Sequence, residues 1–398
     1  MLEETGTNHM KSDSARRGQM DEQIVEFDIH GVLGIRLLNA SSADMAAVVG
    51  QLGLLHKPLF RDPDITLRFV SHRFLLRMRD LGRKQKGAPE EAFFVFDDRA
   101  MARVPFDQVG GPCEIICERG SGAVPLFMPI LSLTALAKGF VTVHASAFTY
   151  QGTGIVMAGR AESGKTTSLL GFAFEGAEFI SEEWVLLRPD GQAMYGLPRE
   201  IALSPSHLET VPEVRQVIKR SRLFAYEGLR CLGRMQGVLA NVASSLPAHA
   251  LKRAISAVQR RILPKVRPGA IFGKRVAQLI ARPEKVFLLI SHADPRVEVK
   301  PISAIEMAHR IVHLIQCEQA RFMEHYVAFK SVFPEAKNSW VEESQNYQYA
   351  LLCCALMAKE TYAVRHPQPI KFSALYAALK PFCENPRNVQ IEAACSAS

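Results

Sequence analysis

The chain has 398 residues, 48% of them hydrophobic and 22% charged, with a formal net charge of +8. That apolar content excludes a wholly disordered protein and suffices for two or three domains. No uncharged apolar run reaches eighteen residues, and the opening MLEETGTNHMKSDSARRGQMDEQ has mixed charge without an apolar core, so neither a spanning helix nor a secretory signal is expected and the protein is read as cytoplasmic.

Residues 1–23 are polar and aperiodic and read as a flexible tail. An α+β accessory domain is expected over residues 24–130. Ile24 to Leu38 places Val25, Phe27, Ile29 and Gly31 on one parity and predicts a strand; Ser42 to Leu54 suits a helix; Asp64 to Val70 returns to a β pattern. Phe93 to Phe96 and Cys113 to Cys117 add short strands. None of the eight cysteines forms a C-x-x-C pair, and CEIIC has no His or further Cys close by, so reduced, buried thiols are expected in preference to zinc ligands. Leu126 to Lys138 is apolar enough for a helix despite Pro129.

A catalytic domain is expected over residues 131–386. It opens with two β stretches, Val141 to Tyr150 and Thr153 to Gly159, separated by Gln151-Gly152. The second runs directly into Gly159-Arg-Ala-Glu-Ser-Gly164-Lys165-Thr166, and a helix follows to Glu175, where Gly176 stops it. Strand, loop and helix are the setting a phosphate-binding loop requires, and the bare pattern arises by chance in only about one chain in a hundred of this length. Backbone N–H groups from Glu162 through Ser163 and Gly164 to Lys165 can point at phosphate oxygens, with Thr167 in the first helical turn behind them. Lys165 can reach the β and γ phosphates, and Thr166 offers a hydroxyl to magnesium. ATP and Mg²⁺ are therefore the expected cofactors.

Glu178 to Ser181 predicts a strand ending at the adjacent acids Glu182 and Glu183. Beside a phosphate loop, one such acid can hold Mg²⁺ while the second takes a proton from an attacking hydroxyl. His144 lies on the opposite parity from Val141 and Val143 and can hold a proton or tune the base. Ser146 has a weaker claim on the same face. Arg199, after Gly196-Leu-Pro198, reads equally as a phosphate or substrate contact and as an exposed ion-pairing residue.

From Arg215 to Arg275 there are fourteen Lys or Arg against one acid, Glu227, with helical spacing over Ala248 to Ile262. Such a field favours an anionic partner, whether an acidic peptide, a phosphorylated metabolite, a membrane surface or RNA; an anionic peptide or small-molecule acceptor is expected, and nucleic acid is not favoured, because no RNA-recognition or zinc-finger signature accompanies it. Lys285 to Ser291 is the strongest late strand, and His292 and Asp294 behind it read as turn residues before site residues. Ile305 to Ile315, Glu324 to Ala328 and Tyr347 to Met357 read as helical. From Thr361 a short strand, a Pro-marked turn and a closing helix follow, and residues 387–398 form a frayed tail.

The run VHASAFTYQGTGIVMAGRAESGKTTSLLGFAFEGAEFISEEWVLL resembles the catalytic core of the HPr kinase/phosphorylase family, including kinases of lasso-peptide clusters. The resemblance implies an α/β P-loop core of the HPr kinase C-terminal-domain type behind the accessory domain. It also implies phosphoryl transfer to a serine or serine-like hydroxyl, with Glu182 and Thr166 on the metal, Glu183 as base, and His144 and Lys165 in the catalytic set. The chain departs from the family at Thr167, where the family has Glu, at Glu182-Glu183, where it has Asp-Asp, and at Arg267-Pro-Gly269, which lacks the remainder of a longer family signature. A catalytically inactive nucleotide-binding regulator or scaffold is the alternative. A homo-oligomer is compatible with either.

Overall fold

A computed structural model describes residues 23–84, 93–96, 100–228, 265–276, 278–368 and 370–383. It is a mixed α/β architecture whose sheets contain both parallel and antiparallel pairs. The first sheet has six strands in the order β1-β2-β3-β6-β5-β4. These are β1 (Ile24–Ile29), β2 (Leu33–Leu38), β3 (Ile65–Val70), β4 (Phe93–Phe96), β5 (Met101–Val104) and β6 (Cys113–Glu118). The stretch expected as one strand is a hairpin, because His30 and Gly31 take positive φ of 53° and 72° and reverse the chain. The alternation simply continues across the turn, which hid the break.

β2, β3 and β6 pair in parallel, so helices must carry the chain between them. α1 (Ser42–Leu52) starts at a capping box in which Ser41 Oγ accepts from Asp44 N–H at 3.3 Å and the Asp44 carboxylate accepts from Ser41 N–H at 3.0 Å. α2 (His72–Lys84) follows β3; its five Lys and Arg mask the apolar side that seats Leu75 against Met101 and Ile116. Cys113 and Cys117 are buried free thiols, and burial pushes the Cys113 thiol up to about 12.

The second sheet has nine strands. Its main path is β14-β11-β10-β7-β8-β15-β17-β16, and β9 also pairs with β7. The strands are β7 (Val141–Tyr150), β8 (Thr153–Gly159), β9 (Glu178–Ser181), β10 (Trp184–Leu187), β11 (Met194–Gly196), β14 (Ile280–Ala281), β15 (Lys285–His292), β16 (Glu298–Pro301) and β17 (Glu360–Pro367). β12 (Ile201–Ala202) and β13 (Lys265–Val266) pair separately. β8, β15 and β17 are parallel, whereas β7 returns antiparallel from β8.

Both faces of this sheet are covered, so its central strands are apolar on both parities. Val156 and Ala158 of β8 join one core with α3 (Phe127–Ala137) and α5 (Ala304–Val332). Ile155 and Met157 face the other core, with α4 (Lys165–Phe174) and α7 (Phe372–Cys383). α5 is one helix of 29 residues where two shorter pieces are expected; no Gly or Pro interrupts it, and the Ser303 side chain caps it by accepting from Glu306 N–H at 3.1 Å. α6 (Ser344–Leu356) packs against it. The core that holds α5 also contains Phe27, Ile35, Leu67 and Ile115 of the first sheet, so the two sheets share one apolar interior. Phe106 strengthens that junction, with its ring centroid 5.3 Å from Phe322 and 5.4 Å from Phe329.

α4 lies close against α7. A Cβ added at Gly171 would stand 2.0 Å from the Phe372 ring, so Gly171→Ala should cost about 1–3 kcal/mol through overpacking, measured by denaturant unfolding. Wild-type stability in that variant would show that the helices separate freely.

His207, in the short helix Pro205–Thr210, accepts from Ser204 N–H at 3.2 Å, and burial pulls its imidazole from 6.5 down to about 4. The unfolded chain therefore binds more protons between those values, and stability declines as pH falls from about 6.5 toward 4. His207→Gln should flatten this acid limb, seen as a smaller drop in Tm between about pH 7 and pH 5 than in wild type. Parallel Tm curves would remove His207 from the acid response.

Candidate functional site

The loop from Gly159 to Gly164 leaves the carboxyl end of β8 and enters α4. Its shape demands positive φ at three places: 157° at Gly159, 63° at Glu162 and 91° at Gly164. Glu162 holds a left-handed conformation that costs a non-glycine residue about 1 kcal/mol or more, so its neighbours must hold it there. The end of β17 and the residue after it supply two of them: His366 Nε2 lies 2.9 Å from the Ser163 carbonyl oxygen, and Gln368 Nε2 donates to the Glu162 carbonyl at 2.9 Å. A Cβ on Gly159 would come within 2.4 Å of Ser163 Oγ and 2.8 Å of the Leu289 carbonyl oxygen, so only glycine lets the loop turn this tightly.

Lys165 is 6% exposed, and its Nζ donates to the carbonyls of Gly159 and Arg160, each at 2.7 Å. Burial pulls its ammonium down to about 8, against the raising fields of Glu318 and Glu182. Ser163 Oγ is buried with no hydrogen-bond partner. Ser146 is structural: its hydroxyl donates to the Lys165 carbonyl at 3.0 Å from inside the core. Thr167 is buried in the first turn of α4.

β9 and β10 both pair with β7, so the segment from Glu178 to Leu187 runs along β7, with a register shift at Ala147/Phe148 and a break between the two strands at Glu182 and Glu183. The strand expected to end at the acids thus resumes at Trp184, and the interruption aims both carboxylates out of the ladder. Glu182 Oε1 accepts from Thr166 Oγ1 at 2.9 Å, which brings together the two oxygens expected to hold Mg²⁺. Among the described residues no group of three or more His, Cys, Asp or Glu side chains is arranged to hold a metal ion. A Mg²⁺ here would complete its shell with phosphate and water, as this ion commonly does.

Glu183 turns the other way. It forms a close ion pair with Arg199, whose Nε also donates to the Gly50 carbonyl of α1 at 3.0 Å. Its Oε1 lies 3.8 Å from His144 Nε2. The His144 ring stacks on Trp184, with centroids 5.0 Å apart and planes 21° from parallel, and its Nδ1 lies 2.6 Å from Glu318 Oε1 of α5. That hydrogen bond holds the Glu318 carboxyl below its usual range. The cluster thus contains Lys165 and Arg199 as cations, Glu182, Glu183 and Glu318 as anions, and an imidazole between two of the anions.

On the other flank of the loop lies a cleft of about 590 Å³ lined in part by Arg160, Ser163, Leu289 and Ser291 and by Arg310 and His313 of α5. α4 and α5, which follow the parallel strands β8 and β15, lie on opposite faces of the sheet, so the loop stands at the carboxyl ends of two strands whose following helices part, the position at which open α/β sheets bind ligands.

The structure therefore brings His144, Lys165, Thr166, Glu182, Glu183 and Arg199 into one place. Glu318, His366 and Gln368 escaped the sequence reading: Glu318 stands 174 residues from its partner and between the two stretches expected as helices, and the His-Pro-Gln run reads as a turn. Asp294 is a turn residue paired with Arg296 at 2.7 Å. Residues 229–264 of the basic run, including Ala248 to Ile262, lie outside the described residues. Within the rest of it, Arg215 pairs with Glu227 at 2.9 Å, and Arg275 donates to the carbonyls of Ala173 and Ala177 at 2.9 and 3.0 Å, so part of the run serves the fold. Among the described residues no helix is long and apolar enough to cross a membrane. No protein-family model and no curated protein matches the chain.

Proposed function

We propose that the chain binds Mg-ATP on the loop from Gly159 to Thr166 and transfers a phosphoryl group to a serine or serine-like hydroxyl of an anionic peptide or small molecule, as its resemblance to the HPr kinase family implies. The observation that carries this is the hydrogen bond from Thr166 to Glu182 within whose field Lys165 lies, with Glu183, one residue on, beside His144. The residues fit the nucleotide: a buried lysine with no carboxylate bonded to its Nζ, a partnerless buried Ser163 hydroxyl in the loop, and a helix N-terminus whose free N–H groups favour phosphate. Bound Mg-ATP would supply the phosphoryl group and a cation to offset its charge. Lys165 would leave the two loop carbonyls to meet phosphate oxygens, Thr166 and Glu182 would hold the ion, Glu183 would accept the hydroxyl proton, and Arg199 would keep Glu183 oriented.

One observation favours the alternative of a nucleotide-binding regulator without turnover: the Arg199 guanidinium already occupies one carboxylate oxygen of Glu183. Incubation with ATP labelled on the γ phosphate, followed by mass analysis of serine-containing acidic peptides and hydroxylated metabolites, separates the two. Label on a hydroxyl supports the kinase; tight Mg-ATP binding with label retained on nucleotide supports the regulator; absence of Mg-ATP binding removes both.

A further inference from the structure

Outside the P-loop and its acids, the shortest contact in the site that the proposed function does not use is the one between His144 and Glu318. Four observations converge on it. Glu318 projects from α5, which crosses the sheet face that carries β7, and its carboxylate approaches Nδ1 of His144 at 2.6 Å. Trp184 stacks on one face of the imidazole and restricts its rotation. The opposite ring nitrogen, Nε2, is directed at Glu183 Oε1, 3.8 Å away. Glu183 has its other oxygen on Arg199, and Arg199 is fixed in turn by the Gly50 carbonyl.

A carboxylate accepts hydrogen bonds and does not donate them when ionised, so the Nδ1 position next to Glu318 must carry the proton. A neutral His144 then presents a lone pair at Nε2, toward Glu183. Two acceptors 3.8 Å apart leave room for one hydroxyl between them, and a proton passes from one to the other only when they close to hydrogen-bond distance.

We propose that Glu318 is a positioning residue: it fixes His144 as the Nδ1–H tautomer so that Nε2 relieves Glu183 of the proton taken from the acceptor. In this step the acceptor O–H bond breaks and its proton passes to Glu183 Oε1 and then to His144 Nε2, leaving a doubly protonated ring between Glu318 and Glu183. The electron pair left on the acceptor oxygen forms the new bond to phosphorus. The bond from phosphorus to the bridging oxygen breaks, and its pair leaves with the nucleoside diphosphate. The charged groups that face His144 are Glu318 from α5 and Glu183 from the β9–β10 interruption, with Arg199 behind Glu183 and Lys165 of α4 within the field of Glu318.

The proposal rests on the kinase reading for the step but not for the placement of His144, and the test separates the two. Full-length protein labelled with ¹⁵N-histidine is observed by NMR at mildly alkaline pH, with His144→Gln used to assign the signal. Wild type is expected to show a protonated Nδ1 and an unprotonated Nε2. E318Q retains an acceptor oxygen and keeps that pattern, whereas E318A loses it and shifts His144 toward the Nε2–H tautomer that free imidazoles favour. Alanine is a good helix former at this partly exposed position, so E318A should fold. An Nε2–H tautomer in wild type, or an unchanged tautomer in E318A, overturns the placement.

For the step, ADP formation from Mg-ATP with water as acceptor should fall about tenfold in E318A and stay near the wild-type rate in E318Q, both at unchanged Mg-ATP affinity. An unchanged rate in E318A overturns the relay. Wild type that binds Mg-ATP and forms no ADP counts against the transferase reading, while the tautomer arms still decide where Glu318 holds the ring.

Discussion

Lys165→Ala is expected to weaken Mg-ATP binding by roughly a hundredfold while leaving the chain folded. The lysine Nζ is satisfied by two carbonyls of its own loop, Gly159 and Arg160, and among the described residues by no distant carboxylate, so its removal breaks no link between described elements. What it removes is a buried cation in the loop proposed to hold phosphate. A charge-assisted hydrogen bond in such a setting contributes about 1.5–3 kcal/mol, and more where two phosphates share the donor. Calorimetric titration of both proteins with Mg-ATP is the measurement, with far-UV circular dichroism as the control for folding. Equal affinities would mean that the loop is not the triphosphate site, whatever its shape.

The second large effect concerns the acidic pair. Glu183→Gln should bind Mg-ATP nearly as wild type does and lose about 10²–10⁴ in single-turnover ADP formation, because the amide still accepts from Arg199 but cannot take a proton. Glu182→Gln should instead require more magnesium for half-maximal turnover, since one of the two oxygens that meet at 2.9 Å loses its charge. Wild-type single-turnover rates in E183Q would end its role as base, and an unchanged magnesium requirement in E182Q would end the metal assignment. The short connection between the two residues makes the contrast informative, since both substitutions perturb the same turn and only their chemistry differs.

Much of this site was legible before any fold was known, because the residues that form it are close in sequence. His144, the loop and the acids fall within forty residues, and strand alternation with glycine punctuation orders them. Arg199 was also visible, but its partner was not, since nothing local tells an ion-pairing arginine from a phosphate ligand. Glu318 was illegible for a different reason. A polar residue on an amphipathic helix looks the same whether it faces water or a histidine from another element, and only the packing of α5 across β7 distinguishes them. The expected element boundaries failed where tertiary contacts outweigh local pattern. The hairpin at His30-Gly31 continues the alternation of its strands, α2 hides its apolar side among arginines, and the strand broken at Glu182-Glu183 resumes because β7 offers a continuous edge.

The apolar interior shared by the two sheets has a thermodynamic consequence. Phe27 and Leu67 of the first sheet and Val156 and Ala158 beneath the loop belong to one contiguous core, and Arg199 ties the α1 carbonyl of Gly50 to Glu183. Strands of the two sheets should therefore melt in a single cooperative transition, so that hydrogen-exchange protection in β3 and in β8 reports one global opening. A ligand that binds the folded loop would then raise protection at amides of the first sheet that it never touches, by the same free energy it contributes at the loop.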